Sequence, residues 1–224
     1  MREIVLDTET TGLSPDQGHR VVEIGCVELM NHLPTGEVFH VYLNPERDMP
    51  IEAFNVHGLS EEFLRQHETF DKVAQKFLDF IADAPLIIHN ASFDMKFLNA
   101  ELSRCDYAAL PMSRAVDTVI LARRKYPGAM ASLDALCKRF NIDNSSRAKH
   151  GALLDSELLA EVYLELIGGR EPGLALAATA GVPSTIQRGD GVVPRPARAH
   201  APSAEEDDAH KAFLEKIKEP IWIT

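Results

Sequence analysis

Asp7 and Glu9 stand two residues apart in Leu6-Asp-Thr-Glu-Thr-Thr-Gly12. Asp94 closes His89-Asn-Ala-Ser-Phe-Asp94, and His150 and Asp155 bracket His150-Gly-Ala-Leu-Leu-Asp155. The four carboxylates offer enough hard oxygen ligands to hold two divalent cations. The imidazole adds a group able to take a proton from water near neutral pH. That is the equipment for hydrolysing a phosphodiester.

The elements that must position these groups follow from the apolar patterns around them. Asp7 ends the β-branched run Ile4-Val5-Leu6, which reads as a buried strand closed by a Thr-Gly turn. Alternation along a strand points residues 7 and 9 to one face. Two carboxylates there repel each other unless cations neutralise them, although a solvated strand end would also tolerate them. Asp94 lies in the first turn of a helix over residues 93–104, marked by Phe93, Phe97, Leu98 and Leu102, after a short strand at 85–88. The carboxylate could serve a metal there or simply face the helix dipole. Leu153, Leu154, Leu158, Leu159, Val162 and Leu166 mark an amphipathic helix over 152–167. Five residues along one helix would leave His150 and Asp155 about 140° apart. Gly151 instead suggests that His150 precedes the helix on a loop that can swing, with Asp155 fixed on the helix.

In this order and at these separations, the three segments resemble those of the DEDD superfamily of exonucleases, in its histidine branch. The likeness spans residues 1 to about 170. Within the branch it is nearest to the proofreading epsilon subunits of bacterial DNA polymerase III. The stretch Glu52-Ala-Phe-Asn-Val-His57 is similar to the epsilon segment that contacts the 3′-terminal nucleotide, so the resemblance assigns Glu52 and His57 to substrate. It implies an α/β, ribonuclease H-like fold, in which a mixed sheet is flanked by helices and followed by a flexible C-terminal tail. Asp7, Glu9, Asp94 and Asp155 become metal ligands for two Mg²⁺ or Mn²⁺ ions and His150 the base, with Asp7, Glu9 and Asp155 also touching the substrate. The activity implied is 3′→5′ removal of nucleotides as 5′-monophosphates. A stand-alone exonuclease of the same branch, acting in RNA processing or DNA repair, would use the same five residues.

The coarse reading of the chain agrees with that fold. Residues 3–8, 21–30 and 38–43 read as a strand meander. Helical patterns follow at 71–82, 93–104, about 116–125, 133–140 and 152–167, with the strand at 85–88 between the first two. Leu13 and Phe93, on loops beside the carboxylates, could stack on or wedge against the terminal base, a sequence-tolerant contact. Phe93 serves equally well as core. Asn90 either hydrogen-bonds the substrate strand or caps the helix that follows.

Formal net charge is −11, and residues 1–170 carry 17 Lys and Arg against 26 Asp and Glu. Such a surface repels a phosphate backbone, and no Lys/Arg-rich stretch supplies the contacts that tight binding to DNA needs. Weak intrinsic affinity for a DNA 3′ end, and a tether to something that delivers it, are therefore expected.

The tail supplies a candidate. An exonuclease domain over 1–170 gives way to a Gly, Pro, Ala and Ser-rich linker over 171–204, and then to a docking segment over 205–224. Phe213, Leu214 and Ile217 recur at helical spacing over 209–219, and Trp222 is the only tryptophan. A helix this short is marginal alone and reads as a peptide that orders on a partner, or as a frayed tail. In epsilon subunits the tail anchors the polymerase alpha subunit. At the linker start, Glu171-Pro-Gly-Leu174-Ala-Leu176 is similar to peptides that bind the bacterial sliding clamp, with Glu in place of Gln. Cys26, Cys105 and Cys137 have no metal or redox spacing, which suits a reducing compartment. No apolar stretch is long enough to span a membrane and no signal-peptide pattern is present, so the cytoplasm is the expected location.

Overall fold

The structure is a computed structural model that describes residues 1–145, 147, 149–168 and 202–216. The chain divides into two units, Met1–Leu174 and Ala175–Thr224.

The first unit is built on five strands: β1 (Arg2–Thr10), β2 (Val21–Met30), β3 (Leu33–Tyr42), β4 (Leu86–Ile88) and β5 (Ala115–Asp117). Their spatial order is β3-β2-β1-β4-β5. β1, β2 and β3 pair antiparallel, as a meander should, whereas β4 and β5 join parallel to β1, so the sheet is mixed. The helices are α1 (Ile51–His57), α2 (Glu61–Leu64), α3 (Phe70–Ile81), α4 (Ala91–Arg104), α5 (Thr118–Lys125), α6 (Leu133–Phe140) and α7 (Ala152–Ile167).

The period of two along β1 divides the core. Ile4 and Leu6 pack on one side with Phe70, Phe77, Phe97 and Leu98 of α3 and α4. Val5 packs on the other with Leu136, Leu159 and Val162 of α6 and α7. At Gly25 of β2, paired with Asp7, α7 comes very close to the sheet. A Cβ at Gly25 would lie 2.3 Å from the Ala152 carbonyl carbon, and Ser156 Oγ donates to the Gly25 carbonyl at 2.9 Å. Only glycine permits that approach, which brings the start of α7 over the end of β1.

Several elements differ from the sequence pattern. β3 begins at Leu33, five residues earlier than expected, and includes Pro34, which an edge strand tolerates because its outer N–H groups are unpaired. Residues 115–117 form β5, and α5 starts only at Thr118 because the Asp117 carboxylate accepts from the backbone N–H groups of Val119 and Ile120. α1 was not marked by any apolar period, since Ile51 and Val56 are exposed.

Among the described residues of the second unit, α8 spans Ala204–Leu214, five residues ahead of the expected helix at 209–219. A capping box between Ser203 and Glu206 starts it there, and Glu205, Glu206 and Asp207 face its N-terminal dipole. Phe213 is exposed and Leu214 partly so. Leu174, Leu176, Ile217 and Trp222 lie outside the described residues. No described helix is long and apolar enough to cross a membrane.

Candidate active site

β1 delivers Asp7 and Glu9 to the α7 side of the sheet, and α7 meets them with Asp155 in its first turn. Asp94 arrives from the opposite layer. It sits in the first turn of α4, where its Oδ1 accepts from both the backbone N–H (3.1 Å) and the hydroxyl (2.6 Å) of Thr8. His150 precedes α7, as Gly151 suggested, and its ring is about half exposed. Asp7, Glu9, Asp94, His150 and Asp155 line one cavity of about 280 Å³ together with Thr8, His89, Phe93, Ser132, Leu133, Asp134 and Arg147. Ligand atoms of Glu9, His150 and Asp155 lie within 4.8 Å of one another.

The electrostatics of this cluster are unfavourable without cations. Burial, reinforced by Asp94, Glu9 and Asp155, holds the Asp7 carboxyl well above the usual carboxylate range, although part of its surface opens to the cavity. Burial, then Asp155, Glu23 and Asp94, pushes Glu9 up to about 8. Asp94 rises to about 7 through burial, against the pull of its Thr8 hydrogen bonds. One cation offsets this. Arg147 donates from Nε and Nη2 to the two Asp155 oxygens at 2.5 and 2.7 Å, and from Nη1 to Asp134 at 2.6 Å. Its Nη2 also lies 2.8 Å from His150 Nδ1, and because a guanidinium only donates, that ring nitrogen must accept.

The residues therefore suit divalent cations on the evidence of their chemistry. Four oxygen donors are crowded together, and three have carboxyl groups pushed towards protonation for want of positive charge. The same shifts give a testable sign. Groups with raised pKa stabilise the folded chain most below their ordinary values of 3.8 and 4.5, and lose that contribution as pH rises through about 7 and about 8. In chelator, the melting temperature is expected to fall by roughly 5 °C from about pH 5 to about pH 8.5, and to fall much less with a divalent cation present. A chelated protein whose melting temperature rises over that window would contradict the assignment.

A second cavity, of about 420 Å³, adjoins the first and shares Thr8, Glu9 and Phe93 with it. Leu13, Glu52 and His57 meet there with Thr10, Thr11, Gly12, His19 and Val56. Leu13 is 84% exposed, on a loop pinned by Lys96 to Ser14 and Asp16 and by Arg47 to the Gly18 carbonyl. His57 is buried, and burial lowers its pKa. Its Nδ1 accepts from the Leu59 N–H, while Nε2 lies near the Thr10 backbone without closing a good hydrogen bond. Phe93 lines both cavities and also packs against the core and Phe97. Asn90 lines neither cavity. It starts α4 in a left-handed conformation, and its side chain makes no capping bond to the helix.

Arg147 and Thr8 were not singled out from the sequence. Thr8 carried a signal, since it lies between two candidate ligands. Arg147 carried none, being one charge in a polar run.

An exonuclease family model, RNase T, matches residues 4–163. The chain is 50% identical over 222 residues to the DNA polymerase III epsilon subunit of Rickettsia conorii, covering 97% of this chain and 96% of the relative. It is 43% identical over 230 residues to the epsilon subunit of Escherichia coli K12, covering 97% and 93%. In fold it is similar to the nuclease domain of 3′hExo, a DEDDh family member solved bound to rAMP. There the TM-score is 0.65 at 20% identity, over 74% of this chain and 91% of that one.

Proposed function

The chain belongs to the RNase T exonuclease family and, within it, to the epsilon subunits of DNA polymerase III, the proofreading 3′→5′ exonucleases of that enzyme, and from that premise we propose how its residues divide the work. The observation that carries the proposal is the convergence of Asp7, Glu9, Asp94, His150 and Asp155 on one cavity that opens into a second, larger one.

Family membership makes the activity divalent-cation dependent. Asp7, Glu9 and Asp155 would hold two cations, Mg²⁺ or Mn²⁺, with Asp94 completing the second position directly or through water. Cations held there would supply positive charge for the scissile phosphate and for the charge that develops on the attacking and leaving oxygens. His150 takes the proton of the attacking water on its ring nitrogen not engaged by Arg147, whose guanidinium donates to Nδ1. The terminal nucleotide occupies the second cavity. Glu52 and the unsatisfied Nε2 of His57 hydrogen-bond it, Phe93 stacks on its base, and Leu13 wedges against the next base. Asn90, outside both cavities, contacts the strand beyond the terminal nucleotide. Attack at phosphorus breaks the bond to the 3′ oxygen of the preceding nucleotide, leaving a 5′-monophosphate and a new 3′ end.

Residues 1–170 form the exonuclease domain. Residues 171–204 link it to a docking segment at 205–224, which binds the polymerase alpha subunit through Phe213, Leu214, Ile217 and Trp222. Leu174 and Leu176 contact the sliding clamp. The setting is the bacterial cytoplasm.

Degradation of a 3′-mismatched primer tests these assignments. Activity should vanish in chelator and return with Mg²⁺ or Mn²⁺. A chain truncated after residue 170 should digest free primer like the full chain, yet neither bind the polymerase nor be stimulated by it. Polymerase binding that survives the truncation would disprove the tether.

A further inference from the structure

The segment before α7 is joined to the wall of the nucleotide cavity. The His150 N–H donates to the Val56 carbonyl at 3.2 Å, one of the carbonyls that the end of α1 leaves without a helical partner. Next to it, Lys149 lays its stem across Gly58, where a Cβ would lie 2.6 Å from Lys149 Cδ. Gly58 caps α1 at φ +77°, a conformation that favours glycine for a second reason. The Lys149 ammonium then sits 4.8 Å from the centre of the Phe54 ring. Phe54 and Val56 belong to the same short helix as Glu52 and His57, and Glu52, Val56 and His57 face the second cavity. Loop 149–150 is thus held against α1 at Phe54 and Val56 and against its cap at Gly58. The His150 ring in turn meets Asp155 in the first turn of α7.

Resting on the assignment of His150 as the base, we propose that Lys149 and Phe54 are positioning residues that tie the base loop to the nucleotide-binding helix. A terminal nucleotide seated against Glu52 and His57 fixes α1, and α1 fixes the backbone of His150. The base is then ordered when the cavity is filled. Neither residue touches the reacting atoms. Their effect is orientational, and small misplacements of a catalytic group are costly in rate. Lys149 is exposed, so its replacement spares the core.

The test compares the full chain with Lys149→Met, Lys149→Arg, Phe54→Leu and the double variant Lys149→Met/Phe54→Leu. The substrates are an oligonucleotide ending in an ordinary 3′ nucleotide and one ending in a 3′ abasic sugar. On the ordinary end, Lys149→Met and Phe54→Leu should each lower kcat by about 3–10-fold with KM changed less than about 2-fold, a partial version of losing the base. The double variant should be no slower than the worse single, because both break one contact. Lys149→Arg should restore the rate, since a guanidinium also binds an aromatic face. On the abasic end the deficit should shrink. Wild-type kcat in Lys149→Met, a loss confined to KM, or additive losses in the double variant would each overturn the tie. His150→Ala, run in parallel, separates the two readings. If it is inactive while Lys149→Met is normal, the tie alone fails. If it retains the full rate, the base assignment fails and the tie falls with it.

Discussion

Asp7→Asn is expected to lower cation-dependent cleavage by about 10³-fold, equivalent to ~4 kcal/mol of transition-state stabilisation. The same variant should be more stable than the parent in chelator, by about 1 kcal/mol or roughly 2–4 °C in melting temperature. The two effects have one cause. Asp7 is enclosed by protein and surrounded by Asp94, Glu9 and Asp155, whose charges oppose its ionisation, while Arg147 alone opposes them. Asparagine keeps the shape and removes the charge, relieving repulsion that Arg147 offsets only in part. It also removes the ligand. The loss should fall mainly on kcat, and the cation-induced rise in melting temperature should largely disappear. A variant that keeps more than about a tenth of the parental rate, or that melts lower than the parent in chelator, would show that Asp7 is not a ligand held under repulsion.

What the sequence revealed of this site depended on how locally each residue is specified. Alternation put residues 7 and 9 on one face because Ile4 and Leu6 face one core and Val5 the other. The apolar stripe of α7 fixed Asp155 on a helix, and Gly151 placed His150 outside it. Asp94 was legible only as a residue at a helix start. Its arrival from the opposite layer, seated on Thr8, is a tertiary contact 86 residues apart that no local period encodes. α1 shows no helical apolar period because Ile51 and Val56 are exposed, and Ala53 and Val56 line a cavity rather than a core. β5 shows none because three residues are too few for a period. The start of α8 is written in the sequence well ahead of its large apolar residues. Ser203 with Glu206 is a capping-box spacing, and the acidic run after it suits a helix N-terminus better than the end of a linker.

His150 can be separated from the carboxylates by what its loss leaves intact. His150→Gly should lower kcat by about 10²–10⁴-fold, the usual contribution of a positioned proton acceptor. Unlike Asp7→Asn, it should retain most of the cation-induced rise in melting temperature, since Asp7, Glu9, Asp94 and Asp155 all remain. The ring is about half exposed at the mouth of the cavity, its Nδ1 accepts from Arg147, and its main chain is held by Val56. Removing it opens a space that solvent can reach without disturbing a core. Imidazole added to the assay should therefore restore part of the lost rate in His150→Gly and leave Asp7→Asn unchanged. Rescue of both variants would point to a general buffer effect rather than a lost base. If His150→Gly loses cation binding as well as rate, the histidine belongs with Glu9 and Asp155 as a ligand, a role their 4.8 Å grouping would equally allow. Because Asp155 lies within reach of His150 and Arg147 at once, ligand and base are separable only by such paired measurements of rate and cation binding.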